Sequence, residues 1–556
     1  MTAREQPATP LAGNIPARLT WCTLCLVLFA VIALTAIASP GHAAQVASAE
    51  DTRAAIEKSL RGAERLPLPV ERVRNILTIH YLEQNGALFW VGTPRLQQLI
   101  DRLANAKADG LKPKDYPADY LVKLHDAANL SLPDHAAFTE LMFTSFFLVY
   151  AADIKVGRFV PAKIDPELYL DRRTVNGPET LAKLAQFGDL TGFFADWEPQ
   201  RAEYRALKVM LAQYRALEHA GGWPRIDPSD ALKPGMDDLR VAQVRARLQA
   251  SGDYTAGGTE TSVYDDTLVA AVRRFQKRHG LDADGVIGKQ SLLALNIKVQ
   301  DRILQIIANM ERWRWMPEQL GDDYIMVNIA GFELTRVQRK KIVRRMKVVV
   351  GKTYHRTPVF SGKIRYLEFN PTWTVPMSIA TKEMLPQLQK DPDRYASKGF
   401  DLLQGGTPVS WYGVDWSQYS RSRFPYVFRQ QPGDNNALGR VKFIFPNKHN
   451  VYLHDTPSRG GFARSNRALS HGCVRLSEPV KFAEEVLASK PGWSRSKIDA
   501  LLASRETTRV NLDKPLSVHL VYATAWLEDD GTVHFRPDIY GRDQRLYRAL
   551  FAKHTP

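Results

Sequence analysis

Cysteine is nearly missing from this chain: three residues in 556. Two of them, Cys22 and Cys25, fall in the first apolar stretch, so a chain relieved of that stretch keeps Cys473 alone. No disulfide framework holds such a chain together, and a lone thiol is then an inert core filler or a nucleophile. Acidic residues are also in deficit, 59 Asp and Glu against 75 Lys and Arg, a formal charge of +16. That surplus suits an anionic partner such as nucleic acid, acidic lipid or an acidic polymer, and alone selects none of them. Long apolar runs are lacking after the N-terminus: residues 21–38 form one, and nothing of that length follows. The rest is ordinary globular composition, 44% hydrophobic and 24% charged, which excludes collagen, coiled coil or disorder as the whole answer. The length points to about three or four domains.

Residues 19–41 carry no charge, Arg4 and Arg18 precede them, and Gly41-His42-Ala43 supplies small residues after them. Residues 1–43 therefore read as a secretory signal, with retention in the inner membrane through 19–41 as the alternative. The expectation is an exported protein of the periplasm or cell envelope, which removes nucleic acid as a partner. Residues 44–232 read as a helical scaffold region, with apolar residues at three- and four-residue spacing (Ile56, Leu60; Leu207, Met210, Leu211, Tyr214) and no chemical signature.

After the break at Lys233-Pro234-Gly235, residues 236–296 form a compact unit of three predicted helices. Val241, Val244 and Leu248 stripe the first; Leu268, Ala271, Val272 and Phe275 stripe the second, closed by His279-Gly280. The turn Asp284-Gly285-Val286-Ile287-Gly288 precedes the short third. This bundle is too small for an enzyme core and holds no ligand cluster. Its FQKRHGL…DGVIG pattern resembles the peptidoglycan-binding domain, which implies wall binding, with Phe275 expected in the core.

A helix with Val299, Ile303, Ile306, Ile307 and Met310 follows, and then the period changes to two. Runs such as Tyr324–Ile329, Lys347–Gly351, Ser517–Tyr522 and Thr532–Phe535 predict a β-rich domain over 320–540, leaving 541–556 as a tail. The fold class expected is thus multidomain α+β. Residues 380–440 interrupt the alternation with a helix near 381–390 and a cluster of aromatics (Trp411, Tyr412, Trp416, Tyr419, Phe424, Tyr426, Phe428). They read as an insertion able to cap a site, or as a small satellite core.

Cys473 sits in Ser470-His471-Gly472-Cys473-Val474-Arg475, with His454 and Asp455 upstream. An ordinary thiol is only a few per cent ionised at neutral pH, so a nucleophilic cysteine needs a base or cation beside it. If the segment is extended, His471, Cys473 and Arg475 share one face. Gly472 lets the backbone approach a substrate, so its amide is a candidate oxyanion donor. Papain-like proteases place cysteine before histidine; here the order is reversed. The candidate ligands lack zinc spacing, so neither metal nor other cofactor is expected.

His454 with Ser470-His471-Gly472-Cys473 resembles the L,D-transpeptidase catalytic domain in order and spacing. Val349-Val350-Gly351-Lys352, Thr357-Pro358 and Asn370–Pro376 add to the likeness, and 380–440 resembles the capping segment of the large multidomain members. The resemblance implies wall biogenesis and a role in cell shape. It makes Cys473 the nucleophile, His454 its base, the Asp455 carbonyl the group that orients His454, and the Gly472 and Cys473 amides the oxyanion donors. His471, Arg475 and Ser470 are implied as substrate-binding residues. The substrates implied are peptidoglycan stem peptides and glycan: a tetrapeptide stem loses D-Ala to a thioester, and a second stem amine resolves it as a 3-3 crosslink. Hydrolysis of that thioester (an L,D-carboxypeptidase), transfer to a lipoprotein lysine, and a non-catalytic wall-binding scaffold are the alternatives. No motif identifies further protein partners in wall synthesis.

Overall fold

The helix Pro133–Val156 is apolar on every side, and the fold buries it accordingly. The computed structural model describes residues 46–257 and 261–551; the expected leader 1–43, with Cys22 and Cys25, lies outside them. Pro133–Val156 is long and apolar enough to cross a membrane, but 83% of its most apolar stretch is enclosed by protein. Ile56, Val73, Leu99 and Phe193 from the surrounding helices, with Trp90 from the loop before Arg95, complete this first core.

The helix Ala202–His219, grouped by sequence with the same region, belongs elsewhere. Its Tyr204, Leu207, Met210, Leu211 and Tyr214 pack with the helix Val299–Trp315 and the large sheet in a second core. An amphipathic stripe shows that a face is buried, not which partner buries it.

The bundle is present as three helices, Arg240–Ala250, Asp266–Arg278 and Lys289–Leu295. Phe275 is fully buried at its centre. Gly280, at φ +69, closes the second helix. The bundle is docked on the C-terminal part of the chain: the Arg536 guanidinium donates to the Arg278 carbonyl at 2.8 Å, and the His279 ring stacks on Phe535.

The large sheet begins with a surprise, the two-residue strand β1 (Leu168–Tyr169) from the helical region. It pairs in parallel with the start of β5 (Val359–Phe369), which follows β2 (Asp323–Asn328), β3 (Glu333–Gln338) and β4 (Lys341–Gly351). The chain then leaves the sheet to build a lobe from β6 (Trp373–Thr374), β7 (Phe400–Gln404), β8 (Thr407–Val409) and β9 (Tyr426–Gln430). It returns as β10 (Val441–Ile444), β11 (Leu453–His454), β12 (Ala468–Ser470), β13 (Val474–Leu476) and β14 (Thr508–Val521). The strand order is β1-β5-β10-β11-β13-β4-β3-β2-β14, with β12 beside β4, and β14 pairs β5 as well as β2. Eight strands thus close into a ring. A hairpin, β15 (Ala525–Leu527) with β16 (Val533–Phe535), follows. The expected tail is, as far as described, a helix, Arg542–Phe551, whose Leu546 and Leu550 enter the main core.

The lobe has its own small core, in which Trp416, Tyr426, Phe428, Leu402 and Leu388 are buried. The aromatic cluster is therefore structural in large part. Its helical run, Met377 to Leu388, contains one widened turn at Ala380–Met384. Pro386 explains it: proline has no N–H for the Lys382 carbonyl and its ring crowds the turn before it.

Candidate active site

β11 and β13 are parallel neighbours with Leu453 beside Val474 and His454 beside Arg475. Leu453 and Val474 are wholly buried in the main core. Strand alternation therefore sends His454 and Arg475 to the opposite face, along with Tyr452 and Cys473. β10 adds Lys442 across from His454, and β5 adds Glu368 across from Lys442.

The segment around the thiol is not continuously extended. It bends between β12 and β13, with Gly472 at φ +116, a conformation that favours glycine. Cys473 and Arg475 follow the sheet face, whereas His471 is turned towards the lobe, where its Nε2 meets Glu383 Oε1 at 2.7 Å. The three residues expected on one face are thus split.

Two other expectations change at this bend. Ser470 is buried; its hydroxyl donates to the Cys473 carbonyl at 2.6 Å and accepts from the Gly472 N–H at 3.1 Å. It shapes the turn and has no surface for substrate. The Gly472 amide is spent on that hydroxyl, while the Cys473 N–H bonds to no other described residue.

The bend rests on residues that motif reasoning did not assign. The fully buried Thr357 donates through Oγ1 to the Gly472 carbonyl at 2.7 Å and accepts from the Gly351 N–H at 2.9 Å. Tyr540 Oη donates to the Gly351 carbonyl and receives the Thr357 N–H at 3.2 Å. A Cβ on Gly351 would lie 2.0 Å from the His355 carbonyl oxygen, so only glycine fits there. Thr357-Pro358 was visible in the sequence; Tyr540 carried no signal.

Electrostatics keep the pair uncharged at rest. Burial, reinforced by Arg475 and then by Lys442, pushes His454 down to about 3. Burial also pushes the Cys473 thiol up, against the opposing pull of the Tyr452 backbone and hydroxyl, Lys442 and Arg475. Both cations are themselves lowered, chiefly by burial. Sγ points at the Asn450 carbonyl, 3.6 Å away, and makes no hydrogen bond to His454. Such contacts commonly tighten only when substrate arrives.

Asp455 anchors this strand end: its N–H donates to the Val441 carbonyl and its carboxylate takes the Arg440 N–H and an Arg459 N–H. The carbonyls of Asp455 and Leu438 favour the protonated ring of His454, although Nδ1 completes a hydrogen bond with neither. A buried imidazole and a half-buried thiol flanked by cations on a sheet face are equipped for proton transfer from thiol to imidazole followed by attack on a carbonyl.

Residues 322–499 match the L,D-transpeptidase catalytic domain, 237–295 the peptidoglycan binding domain and 76–211 the scaffold domain. A Haemophilus influenzae protein named as an L,D-transpeptidase is 35% identical over 249 residues, 44% of this chain and 50% of its own length. The chain spans about half of that relative. The N-acetylmuramoyl-L-alanine amidase CwlM of Mycobacterium tuberculosis is 36% identical over 80 residues, 13% of this chain and 20% of that protein. Among solved structures, an L,D-transpeptidase from Mycobacterium smegmatis is 13% identical, covering 36% of this chain and 58% of its own, with a TM-score of 0.18. One from Stackebrandtia nassauensis is 15% identical, covering 54% and 96%, with a TM-score of 0.22. Scores that low give the superpositions no weight. The sequence matches suffice for one conclusion: this chain carries an L,D-transpeptidase catalytic domain together with a peptidoglycan-binding domain.

Proposed function

We propose that this protein is a cysteine L,D-transpeptidase of the cell envelope, acting on peptidoglycan stem peptides and making 3-3 crosslinks. Cys473 Sγ attacks the carbonyl of the third stem residue while His454 takes the thiol proton. The carbon–sulfur bond forms, the bond to the terminal D-Ala breaks, and His454 passes the proton to the leaving amine. The Cys473 N–H holds the developing oxyanion. A side-chain amine of a second stem then attacks the thioester, forming the new amide and returning the proton to sulfur. Arg475 and Lys442 stabilise negative charge on sulfur as it develops, and the bundle of 236–296 holds the enzyme on the wall. Export through residues 1–43 delivers it there.

The observation that carries this reading is the register of β11 and β13, which sets His454 and Arg475 side by side on the face that bears Cys473. The test is to mix purified protein with disaccharide-tetrapeptide and weigh both protein and products. A crosslinked dimer with loss of D-Ala supports transpeptidation. Tripeptide without dimer would make the protein a carboxypeptidase. Neither product nor adduct would favour a non-catalytic wall-binding scaffold.

A further inference from the structure

Three side chains meet at the bend that precedes Cys473, although nothing in their sequence spacing links them. His355 lies in the loop between β4 and β5, Glu383 in the widened turn of the lobe helix, and His471 at the bend before Cys473. One donor atom from each lies within 4.8 Å of the other two. His471 Nε2 is 2.7 Å from Glu383 Oε1, and the His355 and His471 ring centres are 5.0 Å apart. All three residues are half-buried, open enough for an ion to enter and for side chains to adjust.

Two imidazoles and one carboxylate make a donor set suited to zinc, with a fourth position left to solvent. Metal–ligand bonds of about 2.0–2.2 Å imply ligand–ligand separations of about 3.3 Å in a tetrahedral site. The donor atoms, all within 4.8 Å of one another, would have to adjust to that spacing by side-chain rotation. Two of the donors are backed by rigid structure: Gly351 packs under the His355 carbonyl, and Thr357 ties the loop to Gly472. Lys352 and Lys382 also stand near His355 and oppose a cation, so affinity depends on the three donors and not on a general negative field.

We propose that His355, Glu383 and His471 form a binding site for a divalent transition-metal ion of the zinc class, which clamps the lobe onto the turn that carries Cys473. Glu383 belongs to the lobe and both histidines to the sheet body, so the ion would bridge parts that otherwise meet through one hydrogen bond here. His471 is two residues from the nucleophile, and a fixed lobe slows entry of a stem peptide. The site is thus a reversible brake on acylation, independent of which acceptor resolves the thioester.

The test uses the full chain stripped of metal and titrated with Co2+, with Zn2+ as competitor. The expected result is one Co2+ per chain, with weak visible absorption, no sulfur-to-metal charge-transfer band, and displacement by Zn2+. Loss of even an outer partner of a metal site costs about 10–100-fold in affinity, so His355→Ala and Glu383→Gln should each lose at least that much. Cys473→Ala should bind Co2+ as the parent does. His355→Ala should keep the parent rate of thiol acylation in metal-free buffer and lose its slowing by Zn2+. Unchanged affinity in both His355→Ala and Glu383→Gln overturns the proposal. So does a charge-transfer band that vanishes in Cys473→Ala, and so does the lack of saturable uptake.

Discussion

Lys442 faces His454 across the antiparallel pair of β10 and β11, and its ammonium lies 4.0 Å from the centre of the Tyr452 ring. With Arg475 on the other side of His454, the imidazole is held between two cations on a buried face. A protonated ring is therefore costly before substrate binds, and so is a free thiolate in a desolvated setting. The resting pair is neutral.

That arrangement makes stability sensitive to acid. His454 titrates near 6.5 in the unfolded chain and near 3 in the folded one, so between these values the unfolded state takes up a proton that the native state refuses. The penalty is absent above about pH 7 and grows as pH falls, reaching about 2 kcal/mol at pH 5. Calorimetry at pH 7.5 and pH 5 should show a larger fall in Tm for the parent than for His454→Gln. Equal falls would mean that the ring is not buried in its neutral form.

Cys473→Ala should abolish every covalent adduct, whether with a tetrapeptide stem or with a carbapenem-type β-lactam, while sacculus binding persists. Intact mass after incubation reads the first, and a pull-down on purified sacculi the second. An adduct that survives the substitution would place the nucleophile elsewhere.

Thr357→Val keeps the shape of the side chain but removes the hydrogen bonds to Gly472 and Gly351. Leaving the buried Gly351 N–H and Gly472 carbonyl unpartnered should cost about 1–3 kcal/mol. The larger effect is expected in acylation, because the bend that presents Cys473 loses its tether. Stopped-flow acylation should slow by about tenfold or more, the scale on which misplaced reacting groups cost rate, while carbapenem still labels Cys473 at long times. Thr357→Ser should recover most of the rate, since it restores the hydroxyl.

Removing residues 236–296 should weaken sacculus binding and leave Cys473 open to acylation. It should also lower the Tm of what remains, because Phe535 and the Arg536 guanidinium lose the cover of His279 and Arg278. Unchanged sacculus binding would count against wall anchoring by the bundle.

Local sequence carried the bundle helices, the core stripe with Phe275, the order His454 then Cys473, and the existence of the insertion. It did not carry tertiary partners. Ala202–His219 and the helices around Pro133–Val156 show the same three- and four-residue spacing, yet they line different cores. β1 is two residues long, too short for alternation to register. The split of His471 from Cys473 depends on the φ of Gly472, and strand parity over 471–475 assumes extended backbone throughout. Glu383 lies 88 residues from His471, so only the folded lobe could bring the two together.

β14 begins at Thr508, beyond the last residue of the catalytic-domain match, and yet it is the strand that completes the ring between β2 and β5. The helices Val299–Trp315 and Arg542–Phe551, also outside the match, fill the same core. A fragment trimmed to the recurring stretch would therefore carry an unpaired sheet edge and bare apolar strands such as Ile325 and Leu334, and would be prone to self-association.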